Sequence, residues 1–317
     1  MLVRKTQREY RTWVVDSRHW DAYTPCQGDI IIATAPKCGT TWTQQIVGSL
    51  VRQDPMPKSI TGTSPWINAR FQGTQESKWE ILAAQTHRHV LKSHLPVDGL
   101  PLYDDVQYIH VARDGRDAFM SMHNHFTGFT QAQLDLFDRN GLADPAIGRP
   151  FPRAPQEPRA YFQHWIQEDA ATGAAGEPAH PSFFSLEAGY WAERRRANFL
   201  LVHYNDLSAD LDGEMRRIAA FLKIDVNETL WPELVRAARF EAMQAAGDTL
   251  MPHANRAFVG GSRRFFNKGT NGRWRDVLSA DDLALYDAKV RAALPPALAA
   301  WLEGGRRATG DPRDASD

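Results

Sequence analysis

Four short apolar runs, at 29–34, 89–93, 106–112 and 198–204, punctuate the chain, and each is followed by a helix-like mixture of apolar and polar residues. Runs of this length read as strands, and their alternation with helices predicts a parallel sheet covered by helices. The helices are expected at roughly 41–53, 114–125, 185–197, 206–222, 228–245 and 279–292. Between about 127 and 157 the pattern dissolves into a stretch rich in Pro and Gly, and a second weakly patterned segment, ATGAAGEPAHPS, follows at 171–182. Because the alternation then resumes, these stretches read as loops or short helices over a sheet edge, not as a linker between domains. The expectation is one α/β domain over 1–317, with a central parallel sheet flanked by helices and variable loops at about 57–88 and 127–185.

A chain of 317 residues can bury a substantial core without staples. Lys and Arg total 37 against 38 Asp and Glu, a net charge of -1, so nucleic acid and anionic membranes are not expected partners. Any anion must be caught locally. The N-terminal MLVRKTQREYRTWVV has scattered charges and no continuous apolar core, so neither a signal peptide nor an anchor is expected. No apolar run elsewhere approaches the ~20 residues of a membrane helix, and a cytoplasmic protein is expected. Cys26 and Cys38, the only cysteines, match neither a disulfide framework nor a zinc pattern.

The segment TAPKCGTTWTQQ, 34–45, directly follows the first strand. A strand, a Gly/Thr turn and a helix make an anion seat, because backbone N–H groups of 38–42 and the positive end of a helix beginning near Thr41 face the turn. Gly39 allows close approach, Thr40 and Thr41 add hydroxyls, and Lys37 can reach a bridging oxygen of the same anion. The nucleotide-loop order G-x-x-x-x-G-K-[ST] is absent, since Lys37 precedes Gly39. An ordinary strand-to-helix turn with an exposed lysine is the simpler reading of the same residues. Cys38 has the setting of a nucleophilic thiol, but a C-x5-R phosphatase loop needs Arg where Gln44 stands.

In HVLKSHLP, 89–96, strand alternation puts Lys92 and His94 on one side and Ser93 on the other. They sit at the C-terminal end of a parallel strand, where open α/β sheets bind ligands, and pair an acid–base group with a cation. His87, His89 and His94 raise the question of a metal, but His94 faces away from the other two and no Cys or carboxylate joins them. In YIHVARDGRDAFMSMHNHF, 108–126, Asp114 reads as a helix N-cap, and Ser121 lies two turns on, roughly on the side of Arg113. Guanidinium and hydroxyl suit a second phosphate, whereas Arg116 and Asp117 read as solvent-facing charges. RRFFNKGTNGRWRD, 263–276, is a cationic loop that either clamps an anion or is simply solvated.

Together these segments resemble the cytosolic-type sulfotransferases, enzymes that use 3′-phosphoadenosine 5′-phosphosulfate (PAPS). The family's P-K-S-G-T-T-W is similar to Pro36-Lys37-Cys38-Gly39-Thr40-Thr41-Trp42, and its K-T-H-L-P to Lys92-Ser93-His94-Leu95-Pro96. Its Y-x-x-R with a serine eight positions after the arginine is similar to Arg113 and Ser121, its adenine-side tyrosine to Tyr204, and its R-K-G-x-x-G-x-W-K to NKGTNGRWR. The resemblance runs from about 29 to 285 in the family's order, and a bacterial member is expected.

The resemblance implies a P-loop NTPase-like fold, PAPS as donor, 3′-phosphoadenosine 5′-phosphate (PAP) as product, no metal, and a small-molecule hydroxyl acceptor. It further implies His94 as general base, with Lys37 and Lys92 neutralising charge on the transferring group. The loop Lys37, Cys38, Gly39, Thr40 and Thr41 would hold the 5′-phosphosulfate. Trp42, Tyr204, Phe240 and Met243 would lie on the adenine side, and Arg113, Ser121, Asn267, Lys268 and Gly269 at the 3′-phosphate.

Several positions depart from the family. Cys38 replaces a serine, though its N–H can serve; Asn267 replaces an arginine, whose charge Arg263 or Arg264 could supply; Ala238 stands where a hydroxyl often contacts the donor. The family's dimer motif is degraded to RDVLSADDLA, so the usual dimer is not expected. A P-loop kinase or ATPase, separable by magnesium dependence, and a catalytically silent donor-binding protein remain alternatives. For the acceptor, Trp66, Phe71, Phe126, Phe129, Phe162, Trp165, Tyr190 and Trp191 lie in the loops and either form an apolar pocket or pack the core.

Overall fold

Ile30, Ile31, Ile32 and Ala33 are all fully buried, and they alternate between two hydrophobic cores, Ile31 and Ala33 on one face of the sheet and Ile30 and Ile32 on the other. A strand covered on both faces has no solvent-facing positions, which is why it reads as an unbroken apolar run. Each such isoleucine contributes roughly 1.5–3 kcal/mol relative to exposure.

The structure, a computed structural model, describes residues 1–168 and 182–317. The loop expected at 171–182 therefore lies outside the described residues, apart from Ser182. The strands are β1 (Leu2–Arg4), β2 (Ile30–Ala33), β3 (Val90–Ser93), β4 (Leu102–Tyr103), β5 (Gln107–Ala112) and β6 (Phe199–His203). β3, β2, β5 and β6 lie side by side in that order, all parallel, with Ile30 opposite Val90 and Gln107, and Tyr108 opposite Phe199. β1 and β4 form a separate antiparallel pair. The helices Gly115–Phe126 and Phe183–Ala192 cover one face through Phe119, Phe184 and Tyr190, and Thr40–Arg52 and Leu211–Leu222 the other through Val47, Leu50 and Met215. The fold is α/β, as the alternation predicts.

Parallel strands deliver their C-terminal ends to one end of the sheet, so the segments after Ala33, Ser93, Ala112 and His203 open together. β2 has β3 on one side and β5 on the other, which makes its C-terminal end the switch point where a crevice forms.

Helix boundaries depart from expectation where a side chain takes a backbone group. The helix expected at 228–245 is two, Trp231–Ala237 and Phe240–Ala245, because Trp42 Nε1 donates to the Ala238 carbonyl at 2.7 Å and Arg239 is extended. The one expected at 206–222 begins at Tyr204 and breaks at Asp210, whose carboxylate caps Gly213 N. The one expected at 185–197 runs instead over Phe183–Ala192. Helices Gln75–Ala83 and Gln131–Leu142 occupy parts of the two stretches expected as variable loops.

Candidate active site

From Ala33 the chain turns through Thr34 to Gly39 into the helix Thr40–Arg52. Gly39 has φ 113°, and a Cβ there would come within 3.3 Å of the Tyr204 ring, so glycine is required on two counts. Lys37 also has positive φ, 70°, a strain of about 1–3 kcal/mol that the surrounding turn holds in place. The Thr34 and Thr40 hydroxyls meet at 2.5 Å and close the turn. Gly39, Thr40, Thr41 and Trp42, at the N-terminus of this helix, line a cavity of about 1250 Å³, and among the described residues no side chain caps that end.

Cys38 is a correction. It is fully buried, its N–H bonds to the Ala35 carbonyl at 3.4 Å and its thiol points to the Pro36 carbonyl, so it does not line the cavity. Burial pushes its thiol well up, which also removes it as a nucleophile.

At the end of β3, Lys92 and His94 both reach the cavity while Ser93 turns away to Asn68. His94 Nδ1 lies 2.8 Å from the Thr34 carbonyl. A carbonyl only accepts, so Nδ1 carries the proton and the Nε2 lone pair is left for another partner. Burial, then the charge of Lys92, holds His94 well below its ordinary pKa and therefore neutral. Trp66 places its ring edge-on to His94 at 4.8 Å and under the Lys92 ammonium at 4.2 Å. Lys92 is pushed down to about 7 by burial and then by Lys37, and Lys37 to about 8 by burial and then by Arg113. These are cations crowded together along one cavity, the arrangement that an anionic ligand relieves.

His125 was not among the expected site residues. It lies one turn beyond Ser121 on the same helix, a spacing that the sequence offers. Its Nδ1 is 3.4 Å from Lys37 Nζ, and Phe129 and Phe258 pack on its ring at 5.0 and 4.8 Å. Burial, then Lys37, Lys92, His94 and Arg264, holds it well below its ordinary pKa.

The other end of the cavity is built from β5, β6 and the 267–273 loop. Arg113 follows β5, donates to Asn271 and to the Lys37 and Thr270 carbonyls, and stacks on Tyr204 at 4.0 Å. Tyr204, directly after β6, donates to the Gly269 carbonyl at 3.1 Å and meets Trp42 edge-on. Gly269 has φ 66°, and a Cβ there would fall 2.7 Å from the Phe240 ring. Ser121, Met243, Asn267 and Lys268 also line the cavity. Neither Arg263 nor Arg264 does; Arg264 is taken by the Asn124 carbonyl and Thr127 Oγ1 at the end of the helix Gly115–Phe126. Arg273, read only as part of a basic loop, does line it.

Asp114 is the N-cap expected, accepting from Arg116 N. Arg116 and Asp117 are not the solvent-facing charges expected. Arg116 bridges Asp114 and Glu303 and lies on the Trp274 ring, and Asp117 is buried and accepts from Gly272 N. Of the loop aromatics, Trp66, Phe71, Phe126, Phe129 and Trp165 line the cavity, whereas Phe162, Tyr190 and Trp191 are core. Trp13, Phe137, Phe151, Phe258 and Phe265 add to the apolar lining. At the opposite end of the sheet, Cys26 and Asp29 stand beside His89, the carboxylate 3.0 Å from the imidazole, so a thiol and a carboxylate do join one of the sequence's histidines. Asp29 and His89 precede β2 and β3, whereas His94 follows β3, so the cluster and His94 lie at opposite ends of the sheet.

The sulfotransferase domain family matches residues 27–295 of the chain. The glycolipid sulfotransferase of Mycobacterium tuberculosis strain H37Rv is 31% identical over 317 residues, 94% of this chain and 94% of that protein. Mouse sulfotransferase 1B1 is 27% identical over 269 residues, 82% of this chain and 81% of that protein. Among solved structures, retinol dehydratase in complex with androsterone and inactive cofactor PAP superposes with a TM-score of 0.67 at 18% identity, covering 89% of this chain and 87% of that one. Mouse sulfotransferase SULT7A1 complexed with PAP gives 0.61 at 20% identity, covering 87% and 89%. The chain therefore belongs to the sulfotransferase family.

Proposed function

We propose that the protein transfers a sulfuryl group from PAPS to a hydroxyl of a small molecule with a large apolar body, leaving PAP. The observation that carries this reading is the His94–Thr34 bond, which leaves a neutral imidazole with its Nε2 lone pair free beside two ammonium groups. A base among cations suits an acceptor hydroxyl that must lose a proton next to an anionic donor.

The residues present fit that donor. Several cations, Lys37, Lys92, Lys268, Arg113 and Arg273, line one cavity, and the glycines at 39 and 269 bring backbone close without a side chain. Moving SO₃ between oxygens asks the protein for alignment and charge neutralisation, as phosphoryl transfer does. In this reading His94 Nε2 takes the acceptor's proton, and Lys37 and Lys92 neutralise charge on the transferring group and the leaving oxygen. Thr40, Thr41 and the helix N-terminus hold the 5′ end. Trp42, Tyr204, Phe240 and Met243 flank the adenine, and Arg113, Ser121, Asn267, Lys268 and Gly269 surround the 3′-phosphate.

The apolar acceptor is supported by the phenylalanine-rich lining around His125 and by the mycobacterial relatives, which are glycolipid sulfotransferases. Thermal unfolding with PAP, compared with ADP plus Mg²⁺, tests the donor. A ligand confined to the native state at 100 times its Kd adds about 2.7 kcal/mol. Stabilisation by PAP alone is expected, and stabilisation by ADP with Mg²⁺ alone would replace this reading with a P-loop kinase.

A further inference from the structure

The position that holds an arginine in the cytosolic-type sulfotransferases is Asn267 here, whose side chain carries no charge. Six residues on, Arg273 begins the short helix Arg273–Asp276, entered through Gly272 at φ 82°. Its side chain is half-buried and lines the cavity together with Lys268, Gly269 and Thr270. The Nε is buried with no hydrogen-bond partner, and among the described residues no carboxylate pairs with this guanidinium.

Its surroundings make that more costly. Arg113, from the end of β5, is close enough for its charge to be felt there and is itself held by neutral groups, Asn271 and two carbonyls. The nearby carboxylate of Asp117 is engaged by Gly272 N–H at 2.7 Å and also feels Arg113 and Arg116. Two guanidiniums around one occupied carboxylate, with a buried N–H left over, form a site short of negative charge. Tyr204, stacked on Arg113, lies beside them. A guanidinium offers paired donors to phosphate oxygens, which is the chemistry missing at Asn267.

We propose that Arg273 supplies the charged 3′-phosphate contact that the neutral amide of Asn267 cannot, and so sets the preference of this protein for a 3′-phosphorylated adenine nucleotide. This rests on the donor reading above. The loop 267–273 then delivers its cation from the far side of its turn, and Asp117 fixes that turn by holding Gly272 N–H.

The test is calorimetric binding of PAP and of adenosine 5′-monophosphate, which lacks the 3′-phosphate, to the full chain and to Arg273→Gln. Loss of a charge-assisted contact should weaken PAP roughly tenfold to a hundredfold and leave the monophosphate within about twofold. Adding Asn267→Arg to Arg273→Gln should restore much of the preference for PAP, a rescue that a purely structural role would not give. If both nucleotides weaken equally, or PAP is unaffected, or the double variant regains nothing, the assignment is wrong. Ligand-free thermal unfolding of Arg273→Gln separates a folding defect from a binding one, and Arg273→Lys, which keeps the charge without the fork, then replaces it. A wild-type protein with no preference for PAP over the monophosphate would instead overturn the donor reading itself.

Discussion

Lys37 Nζ and His125 Nδ1 stand 3.4 Å apart, so the lysine of the anion loop is held by an imidazole that burial, and then its cationic neighbours, keep neutral. The imidazole in turn is packed by Phe129 and Phe258, which line the apolar part of the cavity, so the donor loop and the acceptor lining touch through one ring. His125→Leu removes the acceptor atom and leaves Lys37 unplaced. Misplacement of a charged group by an ångström costs about tenfold to a hundredfold in rate, so kcat should fall by that range and PAP affinity should weaken with it. His125→Asn, which keeps an acceptor near the same place, should recover part of it in steady-state assays.

Lys92 at about 7 and Lys37 at about 8 make the rate sensitive to alkali. Both must be protonated to neutralise the donor, whereas His94 is already neutral well below its ordinary value. In the free enzyme kcat/KM should decline as pH rises through about 7 to 8. A bound polyanion favours the ammonium forms, so the alkaline limb of kcat should lie at higher pH than that of kcat/KM. Coincident limbs in the two profiles would contradict the placement of these lysines beside the donor.

The same lysines make a stability prediction of unusual sign. Lys37 and Lys78 at about 8 and Lys92 at about 7 all have lower values folded than the ordinary 10.5. Above those values the unfolded chain binds more protons than the folded one, so stability rises with pH from about 7 towards 9. Beyond that window the buried Cys38 thiol, raised above its ordinary 9.0, works in the opposite direction. The Tm of the ligand-free protein should climb between pH 7 and 9, and saturating PAP should flatten the climb by keeping Lys37 and Lys92 charged. A Tm that falls in both samples would rule this out.

Gly269→Ala places a Cβ 2.7 Å from the Phe240 ring at a φ of 66°. Overpacking adds about 1–3 kcal/mol of destabilisation, and displacement of Phe240 should weaken PAP binding. Gly260, at φ 89° but with its nearest neighbour 3.6 Å from an added Cβ, isolates the backbone part. Gly260→Ala should lower Tm less and leave PAP affinity unchanged.

The sheet was legible because its strands are mostly buried on both faces and so read as short apolar runs, most fully at Ile30 to Ala33. The break at Ala238 was not, since a remote indole, Trp42, takes that carbonyl and no local spacing signals it. Within the site, the motif residues converge on one cavity apart from Cys38, whose N–H closes its own turn. Arg116 and Asp117 were misread because their cover, Trp274 and Gly272, arrives from more than 150 residues downstream. His125 was readable from its one-turn spacing to Ser121, whereas Arg273 was hidden in a run of basic residues of which Arg263, Arg264 and Arg275 do not line the cavity.

His94 as the proton acceptor is tested most directly by single-turnover transfer from PAPS in His94→Ala, with PAP binding measured on the same preparation. Loss of a positioned general base should slow transfer by about 10²–10⁴-fold while PAP affinity is retained. Transfer near the wild-type rate with PAP still bound would contradict the assignment.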